Sequence, residues 1–483
     1  MPDLEIPRGR VVDRVLVAFE GEGAGEGELT FGQRGLWQSI ELSGAATVTH
    51  LVAADPGTTV DAVAETLGFM VGRHQALRTR LMLRESGPPR QRVFAAGKLP
   101  LLVVAAGADG PAEVAEALAA HWKVAPFAYE TEWPVRMAAI VADGGNDTGT
   151  GTGTGGRTVT HVVTVFLHTS IDGFGLAALL ADIDARDPET GAPAGPVTAL
   201  PPLAQAAFEE SPAGRRQNEQ SLRYQEQVLR SAPARPLGEP RYGGERRFSM
   251  LRYRSPAIGL AVHAVAARDR LHESPSLVAS FLVAVGRVAG VNPLLTMMMV
   301  SNRFRPGYAD SVSALIKIVP FVLDVADLSV GEVVARASGR ALNAYRNAYY
   351  DAYEQDDVVS RVERERGEEF DLSCYFNDRR RRPRVQAGLV APAADQIRAA
   401  LAGSELSWKQ DAHVSGAKLH LCVEDPEGAI ELVLSGDERY FSRADLEILA
   451  RAIEEAAVQA ATEPEAPTGI GRPIAADVAF SAD

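Results

Sequence analysis

The residues with the clearest chemical potential are a histidine and an aspartate four positions apart, within residues 163–176 (VTVFLHTSIDGFGL). Because imidazole has an ordinary pKa of ~6.5, His168 could accept a proton from a nucleophile at neutral pH. The β-branched run before His168 predicts a buried strand, Asp172-Gly173 predicts a tight turn, and residues 174–183 have the apolar periodicity of a helix. We therefore expect His168 to face a cavity as a catalytic base; the alternative is a core histidine with satisfied hydrogen bonds.

The aspartate in this segment has a different expected role. Asp172 precedes an apolar helix, so its carboxylate is predicted to be buried, where an unpaired charge would be costly. It therefore needs a cation, and an ion pair would hold the loop. Gly173 is expected to permit a backbone conformation and a close approach that a side chain would block.

The length of the chain predicts two lobes. A chain of 483 residues exceeds one ordinary core. We expect an N-terminal lobe at residues 11–187, a Pro-, Gly- and Ala-rich linker at 188–202, a C-terminal lobe at 203–462 and a disordered tail at 463–483. The net charge of −14 argues against a nucleic-acid surface, because phosphate binding requires clustered Lys and Arg.

The cysteines and the apolar segments indicate the cellular setting. Cys374 and Cys422 lie in apolar, strand-like segments without the spacing of a metal site, so both are predicted to be reduced core residues and no metal or intrinsic cofactor is expected. The first ten residues lack the apolar run of a secretory signal. The longest apolar segment, 277–291, contains Arg287 and is shorter than the ~20 residues of a membrane helix. We therefore expect a cytoplasmic protein with no membrane partner.

A glycine- and threonine-rich stretch at residues 143–157 is too polar to fold alone and is predicted to be a mobile hairpin loop. Its Gly151, Gly153 and Gly156 satisfy the G-x-G-x-x-G pattern. A dinucleotide site needs a helix after that pattern, whereas a strand is predicted here, so we reject this interpretation. The sequence also has no phosphate-binding G-x-x-x-x-G-K-[ST] loop and no G-x-S-x-G nucleophile elbow.

Several segments, taken in order, resemble the motifs of the condensation domains of nonribosomal peptide synthetases. The resemblance covers most of the chain, and the order and spacing of the segments carry more weight than any one of them. His168 to Gly173 align with the signature H-H-x-x-x-D-G. The other segments are 29–37 (LTFGQRGLW), 73–80 (RHQALRTR), Pro126-Phe127 with 133–136 (WPVR), 301–303 (SNR) and 319–322 (VPFV).

This resemblance implies a fold and a set of site residues. The fold would be two chloramphenicol-acetyltransferase-like α/β lobes in an open V, with the active site at their interface. His168 would be the catalytic residue. Asp172, Gly173 and Arg303 would be structural residues of the active site, with Arg303 as the ion-pair partner of Asp172; Arg305 competes for that role.

One position departs from the family signature. The first histidine of the motif is replaced by Leu167, whereas the second, which the family uses in catalysis, is retained as His168. Because side chains alternate along a strand, Leu167 is expected to point away from the face that carries His168 and to pack in the core.

The resemblance implies a free-standing condensation enzyme, since no adenylation or carrier segment fits in this length. It would join an acyl or aminoacyl thioester, held on the phosphopantetheine arm of a carrier protein, to a small amine or alcohol acceptor. The product would be an amide or ester in natural-product biosynthesis. Two alternatives remain: an acyl-CoA-dependent acyltransferase, and a degenerate non-catalytic domain that recruits a tailoring enzyme to a carrier-bound peptide.

Two other clusters have open interpretations. The arginines at 379–382, with Arg384, could contact an acidic carrier protein or a phosphate, but a solvated loop is favoured. Four tyrosines at helical spacing could line the tunnel, although an aromatic packing face is favoured. They are Tyr345, Tyr349, Tyr350 and Tyr353.

Overall fold

The structure is a computed structural model that describes residues 6–44, 46–142, 158–380, 391–409, 416–426 and 428–471. The predicted mobile loop at 143–157 lies outside the described residues. The strands are β1 (Arg10–Glu20), β2 (Gly25–Glu28), β3 (Thr47–Ala53), β4 (Thr79–Met82), β5 (Arg90–Val93), β6 (Ala96–Ala105), β7 (Val135–Val141), β8 (Val159–Leu167), β9 (Phe248–Ser255), β10 (Leu294–Val300), β11 (Lys317–Leu323), β12 (Cys374–Asp378), β13 (Glu405–Lys409), β14 (Leu419–Glu424) and β15 (Ile430–Asp437).

Helices alternate with these strands through much of the described chain, as predicted for an α/β protein. They are α1 (Phe31–Ser43), α2 (Val60–Arg73), α3 (Pro111–Val124), α4 (Gly173–Asp184), α5 (Pro202–Glu210), α6 (Pro212–Ser231), α7 (Pro256–Asp269), α8 (Ser274–Ala289), α9 (Val330–Arg346), α10 (Ala352–Arg366), α11 (Ala394–Ala400) and α12 (Arg443–Thr462). None of the helices in the described part of the chain combines the length and apolar character that crossing a bilayer requires.

The chain divides into two compact units. The first comprises Met1–Glu219, Ser301–Lys317 and Tyr349–Glu354, and the second comprises Gln220–Val300, Ile318–Ala348 and Gln355–Asp483. The predicted boundaries differ from these, because 203–219, 301–317 and 349–354 had been expected in the C-terminal lobe. Long-range contacts explain the difference, since Glu209 and Arg303 bind residues early in the chain.

The first unit is built on a five-stranded sheet in the order β1-β6-β7-β8-β3. Strand β6 runs parallel to β7, whereas β7 is antiparallel to β8 and β8 is antiparallel to β3. Alternate residues of the strands enter two cores: Phe166 packs with α2 and α4 on one face, and Val165 and Leu167 pack with α1 and α3 on the other. Strand β8 is therefore held on both edges and both faces, which places its C-terminal end firmly.

The second unit contains a seven-stranded sheet in the order β11-β10-β12-β14-β15-β9-β13. Strands β12 and β14 are parallel, and β14 is antiparallel to β15. Of the cysteines, Cys374 is buried in this sheet as predicted, but Cys422 is only half-buried; both are free thiols.

The predicted disordered tail needs correction at its start. The Pro464 carbonyl accepts a hydrogen bond from the Gly331 amide at 2.8 Å, and the Thr468 amide donates to the Leu328 carbonyl at 2.9 Å. Arg287 donates to the Thr468 carbonyl at 2.8 Å. Residues 463–471 are therefore ordered by backbone pairing that composition alone does not reveal, whereas 472–483 lie outside the described residues.

Candidate active site

Strand β8 ends at Leu167, and backbone hydrogen bonds to the neighbouring segments of the sheet hold Leu167 and His168 in place. The Leu167 amide donates to the Pro134 carbonyl, and the His168 amide donates to the Ala46 carbonyl, each at 2.9 Å. Because these bonds extend the sheet past the last residue of β8, the Cα of His168 is fixed. The half-buried imidazole therefore projects from an ordered support.

The imidazole of His168 is oriented by its own turn. Its Nδ1 lies 3.0 Å from the carbonyl oxygen of Ile171. A carbonyl oxygen can only accept a hydrogen bond, so Nδ1 carries the proton and, in the neutral ring, Nε2 carries the lone pair. This is the tautomer that a general base needs, since Nε2 can take a proton from an amine or hydroxyl nucleophile.

The carboxylate of Asp172 is almost fully buried, at 1% exposed, and its two oxygens accept four hydrogen bonds. Oδ1 accepts from the Gly175 amide at 2.8 Å, so Asp172 is the N-cap of α4. Oδ2 accepts from the Leu315 amide at 2.8 Å and the Ile316 amide at 3.1 Å. These bonds tie the start of α4 to the segment before β11.

The fourth hydrogen bond of Asp172 comes from Arg303, as the resemblance implied. Its Nη1 donates to Oδ2 at 3.0 Å and its Nη2 lies 2.8 Å from Oδ1, so the two groups form a close ion pair. Arg303 also donates to the Ser311 and Ser313 carbonyls at 3.0 and 3.1 Å. The competing Arg305 bonds instead to the side chain of Asn302 at 3.2 Å. Their roles as structural residues of an active site stay a prediction.

The expected close approach at Gly173 is wrong and occurs at Gly175 instead. A Cβ at Gly173, the first residue of α4, would meet no atom of the described structure within 4 Å. A Cβ at Gly175 would lie 2.9 Å from the Ser313 carbonyl oxygen and 3.0 Å from an Arg303 nitrogen. The H-x-x-x-D-G pattern directs attention to Gly173, and nothing in the local sequence shows what packs against Gly175.

This difference gives a matched pair of substitutions. Gly175→Ala is expected to lower the free energy of unfolding by about 1–3 kcal/mol, since its methyl group overpacks the ion-pair site. Gly173→Ala is expected to leave it unchanged or raise it by up to about 1 kcal/mol, because alanine favours the helix and meets open space. Urea unfolding of both variants measures the contrast, and equal effects would contradict it.

The position that departs from the family signature packs as predicted. Leu167 is 4% exposed and belongs to the core under α1 and α3, on the face of β8 opposite to Phe166. Its side chain also lines a small pocket with Gln33, Tyr129 and Glu132. The leucine is therefore part of the support for His168, which keeps its own backbone and ring contacts.

Glu209, at the end of α5, has a buried carboxyl group beside the start of α1 that sequence reasoning missed. It is 3% exposed and accepts hydrogen bonds from the Phe31 amide at 2.7 Å and the Tyr349 hydroxyl at 2.5 Å. The Tyr349 hydroxyl is in turn 2.8 Å from that of Tyr308. Burial raises the pKa of Glu209 to about 8, although these two hydrogen bonds act in the opposite direction.

The raised pKa of Glu209 predicts that the folded protein becomes less stable as the pH rises. The unfolded chain releases this proton near pH ~4.3, whereas the folded chain keeps it to about pH 8. The free energy of unfolding therefore decreases as pH rises through that window. Glu209→Gln is expected to remove this decrease, so the variant should gain stability relative to the wild type toward pH 8.

Urea unfolding at pH 5, 6, 7 and 8 tests this effect. The matched control is Glu245→Gln, because the side chain of Glu245 is 88% exposed. The control should follow the wild-type pH profile. If Glu209→Gln also ran parallel to the wild type at every pH, Glu209 would not titrate in this window.

The structure shows the surroundings of some residues in the tyrosine and arginine clusters. Tyr349 and Tyr350 are buried and lie beyond the end of α9, so their helical spacing is not that of one helix. The favoured solvated loop is wrong for Arg380, which is 7% exposed and bonds to Asp378 and Glu273. Arg379 pairs with Glu424 at 3.1 Å, and residues 381–384 lie outside the described residues.

Comparison of the sequence with known proteins gives one distant relative. No family model matches the chain. The AMB antimetabolite synthetase AmbB of Pseudomonas aeruginosa is 24% identical over 460 residues, which cover 91% of this chain and 34% of AmbB. The chain thus spans about a third of the length of the curated relative it matches.

Comparison of the fold gives stronger likenesses. The condensation domain that mediates chain release from the enacyloxin polyketide synthase has a TM-score of 0.61 at 20% identity, covering 90% of this chain and 83% of that one. The first condensation domain of the CDA synthetase has a TM-score of 0.65 at 15% identity, covering 92% and 98%. The X-domain from teicoplanin biosynthesis, solved in complex with OxyB, has a TM-score of 0.65 at 17% identity, covering 93% and 96%.

These likenesses extend over nearly the whole chain at identities too low to transfer an activity. They confirm the predicted fold class and the resemblance read from the ordered motifs. The chain therefore has the fold of the condensation domains of nonribosomal peptide synthetases.

Proposed function

We propose that this protein is a condensation enzyme. It transfers an acyl or aminoacyl group from a phosphopantetheine thioester, held on a carrier protein, to a small amine or alcohol acceptor. His168 takes the proton of the acceptor through Nε2 as the nitrogen or oxygen attacks the thioester carbonyl. Asp172 and Arg303 hold the loop that presents His168, and neither reacts.

The observation that carries this proposal is the Nδ1 contact of His168 with the Ile171 carbonyl at 3.0 Å. In the neutral ring it leaves the lone pair on Nε2 of a half-buried imidazole at the end of β8. A base in this position suits acyl transfer to an amine or hydroxyl, because the attacking group must lose its proton. The condensation-domain fold supports the thioester as the donor.

The test uses the chain alone with a separately supplied carrier protein. One series offers an acyl-loaded carrier protein with a panel of amines and alcohols, and a parallel series offers the same acyl group on coenzyme A. Product is measured by mass spectrometry. We expect much more product in the carrier series than in the series with coenzyme A. This result would also support action as a free-standing enzyme.

Two outcomes would overturn the proposal. Equal rates from coenzyme A and from the carrier would favour an acyl-CoA-dependent acyltransferase. No product from any thioester would remove the enzymatic assignment. An active condensation domain assayed in parallel confirms that the loaded carrier and the acceptors are competent.

A second candidate is favoured by the likeness to the X-domain solved with OxyB and by Leu167 at the signature position. In this case the chain binds a tailoring enzyme and brings it to a carrier-bound peptide, without turnover. A stable complex with such an enzyme in size-exclusion chromatography, together with the absence of product above, would support this candidate.

A further inference from the structure

A cysteine and a histidine form a close pair on β14, in the second unit. Cys422 and His420 are two positions apart and so project from the same face of the strand. Leu419, Leu421 and Val423 project from the other face and are fully buried. The Sγ of Cys422 lies 3.3 Å from Nε2 of His420, within the reach of a sulfur hydrogen bond.

The neighbouring strand β12 completes the surroundings of this pair. Tyr375 packs edge-on against the His420 ring, with centroids 5.7 Å apart, which restricts the ring. Asn377 is the register partner of Cys422, and the positive charge of Arg379 acts to lower the pKa of the thiol. The sulfur thus faces one base and has one cation nearby that favours negative charge on it.

Burial sets the resting protonation of the pair. It lowers the pKa of His420 to about 4, and the positive charge of Arg379 acts in the same direction. Burial also raises the pKa of Cys422, against the effect of Arg379. At neutral pH the pair is therefore a thiol beside a neutral imidazole. The other groups around the Cys422–His420 pair, on the described elements, lie on three strands. They are Glu424 on β14, Tyr375 on β12, and Glu431, Val433 and Ser435 on β15, where Glu431 is paired with Arg252.

We propose that Cys422 is an S-acylation site, at which His420 acts as the base and an acyl thioester is the substrate. A nucleophile within hydrogen-bond reach of an oriented base is the arrangement found in covalent acyl transfer. This inference goes beyond the proposed function, because it needs neither His168 nor an acceptor.

The reaction is a thioester exchange. The Cys422 sulfur attacks the carbonyl carbon while Nε2 of His420 takes the thiol proton. The tetrahedral intermediate then expels the thiolate of the donor, which takes the proton from the imidazolium. One carbon–sulfur bond forms and one breaks, so the exchange needs no oxidant or reductant.

The experiment incubates the full chain with acetyl-coenzyme A, without carrier protein or acceptor, between pH 6 and 8. Acid-quenched samples are analysed by intact mass and peptide mapping. We expect one acetyl group on Cys422 and none on Cys374, because Cys374 is 1% exposed and burial raises its pKa to about 12. The rate should change little with pH, since His420 is already unprotonated.

The diagnostic variant is His420→Gln, which keeps a polar side chain but removes the base. Its acetylation is expected to be about 100-fold slower at pH 7 and to rise about tenfold per pH unit, because it then depends on the thiolate fraction. Thermal unfolding establishes that the variant is folded. Arg379→Gln, a second variant, should slow acetylation several-fold by removing the charge beside the sulfur.

Two results would overturn the inference: no acetyl group on Cys422 in the wild type, or equal rates in the wild type and His420→Gln. Because no acceptor or carrier is present, failure of this experiment does not bear on condensation. Conversely, absence of condensation would leave acetylation of Cys422 measurable.

Discussion

Replacing His168 with alanine is expected to lower kcat for condensation by about 10² to 10⁴, the usual contribution of a general base. The Nδ1 contact with Ile171 leaves Nε2 as the proton acceptor, and alanine offers none. KM for the donor should change little, because the imidazole acts on the acceptor. Single-turnover rates with an acyl-loaded carrier protein measure the effect.

The matched control for this variant is His272→Ala, because His272 is exposed and lies outside the candidate site. It should retain wild-type rates. The backbone bond from residue 168 to the Ala46 carbonyl does not need the side chain, so His168→Ala should stay folded and lose only about 1 kcal/mol of stability with the bond to Ile171. Added imidazole should restore part of the activity of His168→Ala only, and a wild-type rate for this variant would end the catalytic assignment.

Replacing Arg303 with methionine is expected to lower the free energy of unfolding by about 3–5 kcal/mol, the cost of breaking a buried ion pair from one side. Asp172 is 1% exposed, so the substitution would leave a buried carboxyl group without its cation. The Ser311 and Ser313 carbonyls would each lose a donor as well. Urea unfolding at pH 7 measures the change.

The control is Arg247→Met, because the side chain of Arg247 is 73% exposed. A change within about 0.5 kcal/mol is expected there. The double variant Asp172→Asn with Arg303→Met should lose less than the sum of the two single variants, since the pair acts as a unit. Additive losses, or an Arg303 variant as stable as the Arg247 control, would contradict the buried pair.

Elements governed by local pattern were predictable from the sequence. The β-branched run ending at Leu167, the Asp-Gly turn and the apolar helix after it appear as β8 and α4. Strand alternation placed Leu167 in the core, where it is found. These features depend on neighbours within a few residues, for which periodicity and turn chemistry are adequate guides.

Contacts between segments that are distant in the sequence were harder to predict. Arg303 was chosen over Arg305 by family resemblance, because two arginines two positions apart have equal claims until the backbone directs one of them. The Leu315 and Ile316 amides that bind Asp172 carry no side-chain signal. The ordered start of the predicted tail likewise depends on pairing with Leu328 and Gly331.

The sequence by itself determined the α/β class, the strand, turn and helix around His168, and the identity of the candidate base, since each follows from residue type and short-range spacing. Tertiary structure alone decided the tautomer of His168, the four hydrogen bonds to Asp172, the crowding at Gly175 rather than Gly173, and the pairing of His420 with Cys422. Hydrogen-bond partners and free space depend on which distant segments meet, and that is settled only when the chain packs.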